Sequence, residues 1–450
     1  MHEDLRAAVA ADLPRLKDLL ADLVRLPSVS APGYDQVEVR AAAEKIVAII
    51  EDAGFENSQL LEVEGGNPAV FGELAAPDGA PTILLYAHYD VQPPGPAADW
   101  ESPPFEPVEK DGRVYGRGSA DDKSGVVMHL GAVAAFDGRP PVGVQVFLEG
   151  EEEAGSASLV GILEKYSHLL KPDVIVIGDG GMWTVDVPAY LTSLRGIVST
   201  TVELRTLEVP VHSGEYGGVY PDALIAMARL LSTLHDDAGH VAIPGLVSEE
   251  TDGPIIAEER VRTLTGVVDG VTQIGSGSIA SRLWSRPSIS VLALDAPPVS
   301  EAINQLVPVS RAKVSMRIAP GEDTMAALAA LKNHLTENAP WGAKVEFLHQ
   351  EAGDASVIDI DNDTVEAWSA GYREAFGTDP VAMGAGGSIP FIATFAELYP
   401  DAPILVIGCA DPTSAYHAPN ESVDLGVLEK SVLAEAIAFR LLGNLMPADS

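Results

Sequence analysis

Four short apolar runs in this chain lead into ionisable side chains, and this arrangement limits the possible folds more than any other feature. Thr82–Ala87 is followed by His88-Tyr89-Asp90, Val142–Leu148 by Glu149-Gly150-Glu151-Glu152-Glu153, and Val174–Gly178 by Asp179, while Ile404–Gly408 leads through a loop to His417. Short apolar runs bounded by Pro or Gly read as buried strands. In open α/β sheets ligands bind beyond the carboxyl ends of the strands, so four strand ends are expected to converge on acids and imidazoles. Carboxylates gathered out of water repel one another and take up protons unless a cation sits among them. Imidazole and carboxylate donors without cysteine suit zinc, cobalt or manganese, and a hydrolytic site keeps one coordination position open to water.

The remaining pattern supplies helices around these strands. Leu5, Val9, Leu13, Leu16, Leu20 and Leu23 recur at helical spacing up to Pro27, which predicts an amphipathic helix. Others are predicted over about Gln36–Ala53, closed by Gly54, and over Gly125–Phe136, with a further strand at Ala69–Leu74. From about Gly196 the texture changes to alternating runs (Thr200–Leu204, Ala312–Ile318) and helices (Pro221–Leu234, Asp323–Asn338). This implies a small α+β sandwich. After about Ala355 a helix over Thr364–Phe376 and the strand Ile404–Ile407 return to the first style. A length of 450 residues exceeds one typical domain. The expected organisation is an α/β catalytic domain in two parts, 1–195 and 356–450, interrupted by an inserted lid domain at 196–355.

Charge and cysteine usage narrow the partners. A formal charge of −38 repels phosphate backbones and anionic membrane surfaces, so neither nucleic acid nor membrane is expected as a partner. Met1–Leu13 carries acids and no uninterrupted apolar core, which argues against a secretory leader. No apolar run approaches the ~20 residues that span a bilayer, and the expected location is cytoplasmic. The single cysteine, Cys409, follows an apolar run and reads as a buried structural thiol.

Taken together, His88-Tyr89-Asp90, the segment Gly116-Arg117-Gly118-Ser119-Ala120-Asp121-Asp122-Lys123, the segment Glu149 to Ser156, and His417 resemble the di-zinc dipeptidases and deacylases that include carnosinase, aminoacylase and succinyl-diaminopimelate desuccinylase. The resemblance spans nearly the whole chain. It implies a mixed-sheet α/β zinc-peptidase domain with an inserted α+β sandwich lid that also dimerises, giving a homodimer. His88 and Asp179 would hold one zinc ion, Glu153 and His417 the other, and Asp121 would bridge them, with manganese or cobalt as substitutes. Asp90 would accept a proton from the second nitrogen of His88, and the peptide between Asp121 and Asp122 would be cis. Glu152 would be the general base, moving a proton from the water shared by the metals to the leaving amine. In the lid, His212 (Val211-His212-Ser213-Gly214) would stabilise the oxyanion. Arg317 and Ser388 within Gly386-Gly387-Ser388-Ile389-Pro390 would bind the substrate carboxylate, and Asn304 would serve either the oxyanion or the carboxylate pocket. Gly384-Ala385 stands where relatives often carry a charged pair.

The implied activity is amide hydrolysis of a dipeptide or short peptide, nearest to the carnosinase-like branch. An N-acyl amino acid deacylase or carboxypeptidase is the alternative, and a non-catalytic binding or scaffold protein is disfavoured by Glu152, since metal binding alone needs no base beside the ligands. Arg117 reads as a loop brace. His129, His168, His235, His240, His334 and His349 carry no spacing signal. Gly275 and Gly277 lack the strand–turn–helix setting of a dinucleotide site, and the chain has neither a Walker lysine motif nor His-Glu-x-x-His.

Overall fold

The computed structural model describes residues 2–387 and 390–445. By internal contacts the chain divides into two compact units, Met1–Leu191 with Ile358–Ala382 and Thr394–Ser450, and Thr192–Val357 with Met383–Ala393.

The first unit is built on a six-stranded sheet of β1 (Glu56–Leu61), β2 (Ala69–Leu74), β3 (Thr82–His88), β4 (Gly143–Glu149), β5 (Val174–Ile177) and β6 (Ile404–Val406), in the order β1-β2-β4-β3-β5-β6. β1, β2 and β4 pair antiparallel, whereas β4, β3, β5 and β6 run parallel. The sheet is therefore mixed. In the parallel part His88 lies opposite Glu149, Tyr86 opposite Ile177, and Ile177 opposite Val406. One edge of the sheet thus collects the carboxyl ends of all four strands.

Buried parallel strands read as continuous apolar runs, and β3 and β4 are buried from Ile83 and Gly143 to their last residues. The helices that accompany the sheet include α1 (Glu3–Val24), α2 (Gln36–Asp52), α3 (Lys123–Ala134), α4 (Asp363–Phe376) and α5 (Leu425–Leu445). α1 buries Leu5, Val9, Leu16, Leu20 and Leu23, as its spacing requires, and each such side chain contributes about 1.5–3 kcal/mol by leaving water. α2 begins where the Asp35 carboxylate accepts the Val37 N–H, an N-cap, and closes at Gly54, whose φ of 92° favours glycine. α3 is capped by Asp122, which accepts the Gly125 N–H, so the residue before the cap, Asp121, sits where loop becomes helix.

The second unit is an antiparallel sheet in the order Ser288–Asp295, Val309–Ile318, Gly196–Arg205, Lys344–Gly353. The helices Ala223–Ser232 and Thr324–Glu337 pack Ala226, Met227, Leu230, Leu328 and Leu331 with Val198, Val202, Val314 and Met316. This is an α+β layer pair. The outer strands Ser288–Asp295 and Lys344–Gly353 were not evident in the sequence, because their apolar residues mostly face solvent: Val291, Leu292, Leu294 and Leu348 are exposed. Among the described residues no helix is long and apolar enough to cross a membrane.

Candidate metal centre

Seven of the residues singled out in the sequence gather at the carboxyl ends of the parallel strands. His88 ends β3, completely buried. Its Nδ1 meets the main-chain oxygen of Asp90 at 3.0 Å. A carbonyl only accepts, so Nδ1 carries a proton, and Nε2 is the nitrogen left to face the carboxylates or a cation. That Nε2 lies 3.0 Å from Asp121 Oδ1, 3.9 Å from Asp179 Oδ1 and 4.0 Å from Glu152 Oε2. On the far side His417 Nε2 lies 3.0 Å from Asp121 Oδ2 and 3.2 Å from Glu153 Oε2. One oxygen of Asp121 faces each imidazole. The Asp121–Asp122 peptide is cis.

Asp90 faces the second nitrogen of His88 with both its carboxylate and its carbonyl. Its carboxylate is 3.4 Å from His88 Nδ1, and the closer contact is made by its carbonyl. The carboxylate also accepts from Ser30 Oγ at 2.6 Å and from the backbone N–H groups of Glu152 and Glu153 at 3.2 and 3.0 Å. It thereby fixes the turn after β4 on which both glutamates stand. Two further residues were not singled out in the sequence. Gln92 Nε2 donates to Glu153 Oε2 at 2.7 Å, and Tyr86 donates to the buried Glu149 carboxylate at 2.7 Å. Gln92 lay within reach of the sequence reading, two residues after Asp90. Ser30 had no such signal.

The electrostatics follow from burial and crowding. Burial pushes the Glu152 carboxyl well above the usual carboxylate range against the pull of His88, and it does the same to Asp179. Asp121 goes the other way: burial raises it, but hydrogen bonds with His417 and His88 hold it below its ordinary value. For His88, burial works to lower the pKa, and contacts with Asp121 and Asp90 outweigh it and raise it. Contacts with Asp121 and Glu153 push His417 up to about 10. Both rings are drawn towards their charged forms, so the cluster demands positive charge.

The donor set fits divalent cations. Ligand atoms of His88, Glu152 and Asp179, and of His88, Asp121 and Glu153, lie within 4.8 Å of one another, a hard and borderline mixture of oxygen and nitrogen with no thiolate. Glu152 falls within reach of the donors, so its carboxylate can either ligate or stand beside a ligated water.

The second unit holds the other expected residues. His212 is exposed, and its Nδ1 accepts the Gly214 N–H at 3.0 Å, which places the proton of a neutral ring on Nε2. Asn304 lies close to it, since its carbonyl accepts the Ser213 N–H at 3.1 Å and His212 pairs with Gln305. Arg317 stands on Val309–Ile318 opposite Ile197 and Ser288, half-buried, with its pKa lowered by burial. Ser388 lies outside the described residues. Cys409 is buried, and burial pushes its thiol up to about 12.

Carboxylates and imidazoles fit for divalent cations, at the carboxyl ends of parallel strands in a mixed α/β sheet, define a metal-dependent hydrolase. Residues 84–438 match the family described as Peptidase family M20/M25/M40, and the chain belongs to that family. Among its relatives, the cysteinylglycine-S-conjugate dipeptidase of Corynebacterium striatum is 34% identical over 402 residues, covering 88% of each chain. The β-Ala-His dipeptidase of Homo sapiens is 26% identical over 445 residues, covering 92% of this chain and 83% of that one. Among solved structures, the di-peptidase Dug1p of Saccharomyces cerevisiae superposes with a TM-score of 0.82 at 22% identity, covering 98% of both chains. Human carnosine dipeptidase 1 gives 0.79 at 24%, also covering 98% of both. At these identities the structures establish the fold.

Proposed function

We propose that the protein hydrolyses the amide bond of dipeptides carrying a free terminal carboxylate, using two divalent cations, with zinc as the native metal. The observation that carries this reading is the division of Asp121 between two imidazoles, Oδ1 at 3.0 Å from His88 and Oδ2 at 3.0 Å from His417. A carboxylate serving two nitrogen donors from opposite sides is what a bridging ligand requires. His88 and Asp179 would hold one cation, Glu153 and His417 the other, and Asp121 would serve both. The chemistry such cations would supply there is polarisation of the scissile carbonyl and acidification of the attacking water.

The chain's own residues do the rest. Asp90 grips the backbone of Glu152 and Glu153, so the base and its neighbouring ligand keep a fixed separation. Glu152, held by its backbone N–H on Asp90, takes the proton of the attacking water and delivers it to the leaving amine nitrogen. His212, with its proton on Nε2, donates to the carbonyl oxygen as charge develops there. The planar fork of Arg317 takes the substrate carboxylate, assisted by Asn304 and Ser388. The dipeptidase names of the relatives support this substrate class.

The finer features rest on narrower grounds. Homodimerisation through the second unit is supported by the exposed Val291, Leu292 and Leu294 on its edge strand, a surface open to strand pairing. A cytoplasmic setting is supported by a single buried cysteine, and the charge of −38 disfavours nucleic acid and anionic membranes. The decisive assay couples metal analysis to amino-acid release from a panel of dipeptides and of acetyl and succinyl amino acids. Cleavage of dipeptides, lost on chelation and restored by zinc, is the expected result. Preferential cleavage of the acylated amino acids would replace this reading with the deacylase one.

A further inference from the structure

Glu421 was assigned no part in the chemistry above, yet it is the most heavily engaged carboxylate near the site. It is fully buried. Its Oε2 accepts from Arg117 Nη1 at 2.7 Å and from the Gly118 N–H at 2.9 Å. Its Oε1 accepts from the N–H groups of Ala120 and Asp121 at 2.9 and 3.0 Å, and its own carbonyl accepts the Gly116 N–H at 2.9 Å. Every contact lies on one loop, residues 116–121, the loop that ends at Asp121. Glu421 itself closes the loop that carries His417. Burial raises its pKa against Arg117 and the N–H donors, but four donors converging on two oxygens are the environment of an ionised carboxylate.

The His417 loop needs such a tether. Ala415, His417 and Asn420 all have positive φ, at 53°, 61° and 63°, a region that side-chain-bearing residues enter at a cost. The upstream end of the loop is fixed where Arg113 meets Asp411 at 2.8 Å, and the downstream end by Glu421. Arg117, in turn, lies over the Trp100 ring at 5.3 Å, so the cation that faces Glu421 is itself braced.

We propose that Glu421 is a positioning residue. It locks the loop bearing Asp121 to the loop bearing His417, so that the 3.0 Å approach of Asp121 Oδ2 to His417 Nε2 is set before either cation binds. Arg117, read from the sequence as a loop brace, is the other half of this lock. The inference rests on the two-cation reading of the site and adds to it how two ligands from distant parts of the chain are held in register.

Glu421→Gln keeps the volume but replaces one accepting oxygen with an NH₂ group, which opposes either the Ala120 and Asp121 N–H pair or the Arg117 and Gly118 pair. The test is zinc binding by the full chain, measured calorimetrically against a competing chelator at low temperature, beside the visible spectrum of the cobalt-loaded protein and Tm. Partners of this kind typically alter metal affinity by roughly 10–100-fold. The expected result is a loss of that size for the folded E421Q protein, with a shifted cobalt spectrum. A merely structural role would lower Tm and leave affinity and spectrum alone, and that result overturns the proposal. If E421Q does not fold, Arg117→Lys, which loosens only the Oε2 side, carries the same test, and wild-type zinc affinity in it overturns the proposal. Failure of the wild-type chain itself to bind zinc would instead overturn the two-cation reading beneath it.

Discussion

The two units present their functional residues in opposite ways. In the first, His88, Asp90, Asp121, Glu152, Glu153, Asp179 and His417 are tied by direct contacts and by Ser30, Gln92 and backbone N–H groups. In the second, His212 and Asn304 are exposed, and the hydrogen bond between their segments, Ser213 N–H to the Asn304 carbonyl, is made by main-chain atoms. A metal centre needs its ligands in place before the ion arrives, because a buried carboxylate cluster is costly to assemble and is repaid only when its geometry is right. Residues that meet only the substrate escape that demand. Substitutions in the first unit should therefore change metal content or chemistry, and those in the second should change turnover or KM with the metal site intact.

The largest effects are expected in the first unit. Asp121→Asn removes one charged oxygen facing an imidazole and should lower bound zinc below two ions per chain and abolish activity; undiminished zinc content would show that Asp121 does not bridge. Glu152→Gln should keep both ions while kcat falls by about 10²–10⁴, the usual worth of a positioned general base. Loss of an ion in that variant would make Glu152 a ligand, an outcome its place among the donors leaves open. His212→Ala should lower kcat by roughly 10²–10³, the usual loss for an oxyanion donor, with zinc content and Tm unchanged. Reduced zinc content would erase the contrast between the units.

Arg317→Met comes next. It should raise KM by roughly 10–100-fold, the equivalent of about 1.5–3 kcal/mol for hydrogen bonds to a charged group, and an unchanged KM for dipeptides would remove Arg317 from the carboxylate pocket. The smallest effect concerns stability. Burial pushes Glu149 up to about 7 from 4.5, so the folded state binds its proton more tightly than the unfolded one. The stability this contributes is complete below about pH 4.5 and is lost as pH rises through about 7, amounting to roughly 3 kcal/mol at most. The difference in unfolding free energy between wild type and Glu149→Gln should vary across that window; a constant difference would refute the shift.

The contrast also explains what the sequence disclosed. The parallel strands were legible because burial on both faces makes them continuous apolar runs, and their ends were legible because His88, Glu152, Glu153 and Asp179 follow those runs directly. The helices α1 and α2 were equally plain from their spacing and from Gly54. Strands Ser288–Asp295 and Lys344–Gly353 were not: in the first only Ile289 is buried and Val291–Leu294 face solvent, and in the second only Val345 and Phe347 alternate towards the core before the strand becomes exposed. Ser30 and Glu421 were invisible for another reason: their roles arise from hydrogen bonds to backbone and side chains about 60 and 300 residues away in sequence, which no local pattern encodes. Asp90 shows the limit in reverse. Its position beside His88 was readable, but not that its carbonyl makes the closer contact with the imidazole or that its carboxylate also holds the Glu152–Glu153 turn.

The claim on which all of this depends is that Asp121 lies between two cations. Crystals of the chain soaked in zinc, measured at the zinc absorption edge, test it directly. The expected anomalous map has two peaks, one beside each carboxylate oxygen of Asp121, the first also touching His88 and Asp179 and the second Glu153 and His417. A single peak, or two peaks with Asp121 bound to neither, would contradict it.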